Sequence, residues 1–308
     1  LPRPIQLNGQ VSIPPPPAED FNALFGGVLP SAQTVTSYWG ITTYYLIRPS
    51  HPNPSTSDPP RRVVLIHGIG TPAIGLLPLA TRLAAASIPT TVLIYDLWGH
   101  GLSSTPLTAH VPGLFHSQIL SLLSHLQWTS AHFLGYSMGG IVAASFVQYH
   151  ASHIESLVLV APVGLLRKSD LSAWTRFIRW GGWGWGWEGI SAKDVYAFVG
   201  RGPVEEGWEK KFKEQGLDAI PRDAVQMWER EKHSGHMASL VSSYRYVGIY
   251  DSHDIYASIA KSNIKTLTLL GENDVFFSAE YMKKELESLT WMGKVQVVNG
   301  VGHGVVAE

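Results

Sequence analysis

Gly135-Tyr136-Ser137-Met138-Gly139 sets a serine between two glycines in the spacing G-x-S-x-G. A serine hydroxyl is a weak nucleophile until it is held clear of the backbone and paired with a base. A sharp strand-to-helix turn does the first job, and the glycines let chain segments pass where a Cβ would collide. The pentapeptide alone is a modest signal. Its surroundings strengthen it: the short apolar run His132-Phe133-Leu134 leads in, and Met138–His150 has a helical pattern rich in small residues.

The base should be a histidine beyond a later strand. Of 13 histidines, His303 fits best, in Val301-Gly302-His303-Gly304 after the strand-like run Val295–Val298. His233 and His236 fall in a polar helical segment, and His67 and His100 in glycine-rich loops near the site; structural roles are expected for all four. An acid must hold the imidazole tautomer and stabilise the imidazolium. Asp274 in Gly271-Glu272-Asn273-Asp274 follows the run Thr266–Leu270 and is the choice, with Glu272 its rival. Another place for the acid, after Leu157–Val160, holds Ala161-Pro162-Val163 and no carboxylate. Asp96 is expected to fix loop geometry. A tetrahedral intermediate needs two N–H donors. Met138, opening a helix after the serine, supplies one together with the helix dipole. Ile69, in the loop after Val63–Ile66, supplies the other, with Gly70 as its alternative. Gly70 and Tyr136 are expected beside the substrate.

Eight strand-like runs must position these groups. Val35–Tyr38 and Ile41–Ile47, separated by Gly40, read as an antiparallel hairpin. Val63–Ile66, Thr91–Tyr95, His132–Leu134 and Leu157–Val160 alternate with helical stretches, as do Thr266–Leu270 and Val295–Val298. Apolar strands alternating with helices argue for a mostly parallel sheet covered on both faces. Between the sixth and seventh strands lies a mainly helical segment holding seven of the 11 tryptophans. The expected organisation is therefore an extended, proline-rich N-terminal arm (1–32), a sheet core (33–162 and 258–308) and an inserted cap (163–257). Trp174, Phe177, Trp180, Trp183, Trp185, Trp187, Tyr196 and Phe198 suggest an apolar chamber, with Trp183 and Trp187 against the substrate. Gly181, Gly182, Gly184, Gly186 and Gly189 would permit lid movement. Arg176 and Arg179 beside exposed tryptophans would make an interfacial patch for lipid.

Composition narrows the classes. Net charge is −1, so no global field attracts nucleic acid. There are no cysteines, which removes disulfides, thiol catalysis and cysteine-ligated zinc. No apolar run reaches the roughly 18 residues of a membrane span. No ligand spacing calls for a metal, and no phosphate loop for a cofactor. The first residue is Leu1 rather than Met, the pattern of a trimmed N-terminus; localisation is left open, with cytoplasm preferred to secretion.

With these residues placed, the chain resembles the α/β-hydrolase superfamily, and within it the group of monoacylglycerol-lipase-like esterases, C–C hydrolases and small lactonases. The resemblance rests on His67-Gly68-Ile69-Gly70, Asp96-Leu97-Trp98-Gly99-His100-Gly101-Leu102-Ser103, Gly135-Tyr136-Ser137-Met138-Gly139-Gly140, Gly271-Glu272-Asn273-Asp274 and Gly302-His303. It implies Ser137 as nucleophile, Asp274 as acid, His303 as base, and Ile69 and Met138 as oxyanion donors. Related epoxide hydrolases and dehalogenases carry Asp where Ser137 stands, and are disfavoured. The family pattern continues with a helix after the histidine, whereas this sequence has five residues there. The expected activity is hydrolysis of a hydrophobic ester or lactone through an acyl-enzyme. A C–C hydrolase with the same triad and a ligand-binding receptor on the same fold are the alternatives.

Overall fold

The computed structural model describes residues 9–50, 59–181, 188–199 and 203–306. A two-residue strand β1 (Ser12–Ile13) and helix α1 (Ala18–Phe25) come first, then the hairpin of β2 (Gln33–Ser37) and β3 (Gly40–Ile47). Strands and helices next alternate: β4 (Arg61–Ile66), α2 (Leu77–Ala84), β5 (Thr90–Tyr95), the short β6 (Thr105–Pro106), α3 (Pro112–His125), β7 (Ala131–Tyr136), α4 (Met138–His150) and β8 (Ile154–Val160). Helices α5 (Ala173–Arg176), α6 (Glu188–Val199), α7 (Trp208–Gln215), α8 (Arg222–Lys232), α9 (His236–Tyr246) and α10 (His253–Ala260) follow. The alternation resumes with β9 (Thr266–Gly271), α11 (Ala279–Ser288) and β10 (Lys294–Val298).

The main sheet has eight strands in the order β10-β9-β8-β7-β4-β5-β3-β2. Pairing is parallel from β10 to β5, and antiparallel where β3 joins β5 and β2 joins β3. Gly40 makes the hairpin possible: its φ is +121°, and a Cβ there would lie 2.6 Å from the Ser104 Cβ.

Strand side chains alternate between two cores because the pleat has period two. Val64, Ile66, Leu93, Tyr95, Leu157 and Leu159 join the larger core, which includes residues of α3, α4, α10 and α11. Their neighbours Leu65, Val92, Ile94 and Val160 enter the core built with α2. Helix α4 is buried without interruption from Met138 to Val147, which is why its sequence is apolar all round rather than striped.

The N-terminal arm is not extended throughout. Pro14–Pro17 are followed by α1, whose Phe21 and Phe25 stand four residues apart on one helical face. Phe21 meets the Trp228 ring edge-on at 4.9 Å, and Phe25 stacks on Trp208 at 5.6 Å. With Phe212, Val225 and Ile74 they form a third apolar cluster that joins the N-terminus to α7 and α8. The proline run masked this short helix. Its apolar face is completed by residues nearly 200 positions away, a partner no local pattern announces. Among the described residues, no helix is long and apolar enough to cross a membrane.

Candidate active site

Strands β4, β7, β9 and β10 run parallel, so the loops after them emerge at one edge of the sheet. These loops carry Ile69, Ser137, Asp274 and His303. Ser137 occupies the one-residue turn between β7 and α4 with φ 52° and ψ −116°, a conformation costly for a side chain with a Cβ. The strain is held by packing. A Cβ on Gly139 would lie 2.1 Å from the Ile66 carbonyl oxygen, and one on Gly135 2.2 Å from the Gly139 carbonyl oxygen. The Ser137 amide donates to the Val160 carbonyl at 2.9 Å, tying the turn to β8.

The side chains of Ser137, His303 and Asp274 are in line. His303 Nε2 lies 3.0 Å from Ser137 Oγ, and His303 Nδ1 lies 2.8 Å from Asp274 Oδ2. The Asp274 side chain is 2% exposed, and its other oxygen accepts the Phe276 and Phe277 amides at 2.9 and 3.0 Å. Those bonds aim the carboxylate by giving its second oxygen two donors. The imidazole is framed by the rings of Phe277 at 5.2 Å, Phe276 at 5.4 Å and Tyr136 at 5.5 Å. Glu272, the rival acid, is occupied elsewhere: its carboxylate accepts the Gly300 amide at 2.8 Å and shapes the turn before His303.

Around the expected oxyanion donors the structure adds a correction. Met138 opens α4 directly after Ser137, and a Cβ on Gly68 would touch the Ser137 Cβ at 3.1 Å, so the loop after β4 lies against the Ser137 turn. Gly70, however, donates its N–H to His100 Nε2 at 3.0 Å and packs toward Gln226 of α8. Its N–H is engaged there, which removes it as the alternative donor and as an N–H contact to substrate. Asp96 serves the loops, as expected: its two oxygens accept the Ala73 and Leu102 amides, both at 2.9 Å. Burial pushes its carboxyl up to about 7 against the pull of those two N–H groups.

The aromatic residues of the insertion divide. Trp183, Trp185 and Trp187 lie outside the described residues, as do Gly182, Gly184 and Gly186. Trp174 and Phe177 stack on each other at 5.9 Å and are exposed, so they line no chamber in this arrangement. Phe198 of α6 meets Phe276 at 5.6 Å and so reaches the His303 surround. Arg179 is buried, paired with Asp194 at 2.6 Å and set over the Phe198 ring at 4.7 Å. It is therefore absent from any lipid-facing patch, having gained an ion pair and a ring instead of solvent. A cleft of about 620 Å³, lined by Pro78, Leu134, Val160, Leu269 and Val305 among others, lies on the α2 face and includes none of Ser137, Asp274 or His303.

Four residues near these loops escaped the sequence reading. Phe276 and Phe277 follow Asp274 directly, and their adjacency was an available signal. Gln226 and Glu229 sit in Gln226-Met227-Trp228-Glu229-Arg230-Glu231, part of the mainly helical insertion with no motif to single them out. Glu229 is nevertheless fully buried, four residues after buried Val225 on the same helical face.

Sheet order, loop placement and the run of motifs define a class, and a family model agrees: the chain belongs to the alpha/beta hydrolase fold family, matched over residues 61–308. A stretch of 103 residues is 35% identical to the dihydrolipoyllysine-residue acetyltransferase component of the acetoin cleaving system of Pseudomonas putida, covering 33% of this chain and 27% of that protein. A stretch of 50 residues is 44% identical to 3-oxoadipate enol-lactonase 2 of Acinetobacter baylyi, over 16% of this chain and 19% of that one. The chain spans less than a third of the length of the curated relatives it matches. Among solved structures, naproxen esterase (carboxylesterase NP) of Bacillus subtilis is similar in fold, with TM-score 0.62, 14% identity, and 94% and 90% of the two chains covered.

Proposed function

We propose that this protein is a serine hydrolase that cleaves a hydrophobic carboxylic ester or lactone through an acyl-enzyme. One observation carries the reading: the imidazole of His303 bridges Ser137 Oγ at 3.0 Å and Asp274 Oδ2 at 2.8 Å. In that geometry Nε2 takes the hydroxyl proton as Oγ attacks the carbonyl carbon. Asp274 holds the Nδ1–H tautomer and stabilises the imidazolium, without itself taking the proton. The oxyanion is received by the N–H groups of Met138 and Ile69. The imidazolium then protonates the leaving alkoxide, and the ester C–O bond breaks. Water, deprotonated by the same imidazole, attacks the acyl carbon and releases the acid with Ser137 restored. For a lactone the leaving hydroxyl stays on the same chain as the acyl group, and the second step releases a single hydroxy acid.

The substrate class is inferred from the surround. Phe276, Phe277, Tyr136 and Phe198 are apolar or aromatic and adjoin the imidazole directly or through one ring. An esterase and an enol-lactonase among the similar proteins are consistent with this choice. The segment between β8 and β9 acts as the cap in this reading, and exposed Trp174 and Phe177 are its lipid-facing surface. The test is a panel of p-nitrophenyl esters of increasing chain length, lactones and diketones, assayed with wild type and Ser137→Ala. Rates should rise past acetate, and fluorophosphonate labelling should vanish in the variant. A folded wild type that neither labels nor hydrolyses any ester would overturn the reading, and diketone cleavage alone would move it to C–C bonds.

A further inference from the structure

Two buried imidazoles grip the chain on either side of Ile69. His67 accepts the Leu97 amide at Nε2, 2.9 Å away, and donates from Nδ1 to the Gly68 carbonyl at 2.7 Å. His100 accepts the Gly70 amide at Nε2, at 3.0 Å, and donates from Nδ1 to the Trp98 carbonyl at 3.1 Å. The rings stand 5.1 Å apart, and neither residue is more than 1% exposed. In a trans peptide the C=O and the following N–H point in opposite directions. Turning the Gly68 carbonyl toward His67 therefore directs the Ile69 N–H to the opposite side of the same plane. The next plane, Ile69–Gly70, is fixed through the Gly70 N–H. The plane that contains the Ile69 N–H is thus held through the Gly68 carbonyl and the plane that follows it through the Gly70 N–H, so Ile69 is fixed on both sides by a side-chain nitrogen.

The loop carrying His100 is held in turn by the insertion. His236 Nδ1 donates to the Gly99 carbonyl at 2.8 Å, Ser239 Oγ to the Trp98 carbonyl at 2.9 Å, and His233 Nε2 to the Ser103 carbonyl at 2.9 Å. Glu229 Oε1 accepts the Gly101 amide at 2.7 Å, and the His236 ring meets the His100 ring edge-on at 5.2 Å. The imidazole nitrogens address backbone groups one by one, and among the described residues no cluster has metal-ligand geometry.

We infer that His67 and His100 are positioning residues for the oxyanion hole: as neutral imidazoles protonated on Nδ1 they preorganise the Ile69 N–H, and α8 and α9 brace His100 from behind. The inference rests on the serine-hydrolase reading above. A donor aimed before the reaction needs no reorganisation as the charge develops, which is where such groups contribute most. Burial favours the required neutral form, pulling His67 down to about 4 and His100 well below the ordinary range. Of the titratable groups around His100, His67, His236 and His233 also favour its neutral form, and the nearby carboxyls of Glu229 and Asp96 are themselves pushed up by burial. A protonated Nε2 could not accept the Gly70 N–H.

The experiment compares wild type, His100→Leu and His100→Gln with p-nitrophenyl butyrate as substrate and an alkyl trifluoromethyl ketone as inhibitor. The ketone adds Ser137 Oγ and so presents an oxyanion. Leucine fills space but cannot accept the Gly70 N–H, whereas the glutamine carbonyl can. Expected for His100→Leu is a kcat loss of about 10²-fold with KM nearly constant, and ketone affinity falling by the same factor. His100→Gln should recover most of both. A folded His100→Leu with unchanged kcat and ketone affinity would overturn the inference, as would an equal loss of affinity for the ketone and for butyrate product. If His100→Leu does not fold, the wild type decides: a through-hydrogen-bond ¹⁵N–¹⁵N coupling between Gly70 N and His100 Nε2 supports the clamp, and its absence overturns it. Failure of the serine-hydrolase reading looks different, because wild type itself would then neither turn over nor bind the ketone.

Discussion

A methyl group placed on Gly139 would lie 2.1 Å from the carbonyl oxygen of Ile66, so the first turn of α4 can approach the end of β4 only where a side chain is missing. That approach sets the turn holding Ser137 against the loop holding Ile69. Gly139→Ala must push the two loops apart because the obstructing atom is backbone. We expect destabilisation of about 3 kcal/mol and a large loss of turnover, read by urea unfolding and ester hydrolysis. Full activity in this variant would show that the close approach is dispensable.

Asp274→Asn should preserve the fold, since the side chain keeps an oxygen for the Phe276 and Phe277 amides. It should lower kcat by about 10⁴-fold, because an amide can stabilise neither the right tautomer nor the imidazolium. Glu272→Gln should stay close to wild type, as its carbonyl can still accept the Gly300 N–H. The opposite ranking of the two variants would reassign the acid.

The N-terminal helix is expected to be integral to stability. Phe25 is fully buried between α7 and the loop regions of the third cluster. Phe25→Ala should cost about 3–5 kcal/mol of unfolding free energy. A change under 1 kcal/mol, measured by denaturant titration, would return this segment to the status of a surface arm.

Acid should unfold the protein earlier than its carboxylates alone would dictate. Burial holds His67, His110 and His116 down to about 4 from 6.5. The native state keeps them neutral while the unfolded chain takes up protons. Their contribution is therefore intact above pH 6.5 and is lost as pH falls toward 4, at about 1.4 kcal/mol per pH unit for each proton. Urea midpoints taken from pH 7 to 4 should fall steeply across that window, and a flat profile would contradict it.

Glu229 carries the opposite sign. Burial raises its carboxyl well above 4.5, against the pull of the Gly101 N–H. Its stability contribution is complete below 4.5 and is lost as pH rises through the folded value. Glu229→Gln keeps an acceptor for Gly101 and offers a donor toward His236 Nε2, 3.9 Å from the present oxygen. Relative to wild type, this variant should gain more Tm at pH 8 than at pH 5. Equal shifts at both values would mean that Glu229 is not held neutral.

Much of this molecule was readable from order and spacing alone. Eight apolar runs, the helical stretches between them and the glycines around Ser137 are local patterns, and each describes a strand, helix or turn that forms from residues close in sequence. Tertiary structure decided what depends on distant partners. Whether Pro14–Pro17 lead into coil or into α1 turned on Phe21 and Phe25 finding α7 and α8. Whether Arg179 faced lipid or Asp194, and whether Glu229 met water or the Gly101 amide, turned on which helix packed against it. The Gly70 N–H was likewise claimed by His100, thirty residues on. The division is physical: secondary structure reports the periodicity of burial along a chain, whereas a polar group's partner is chosen only once separate segments have packed.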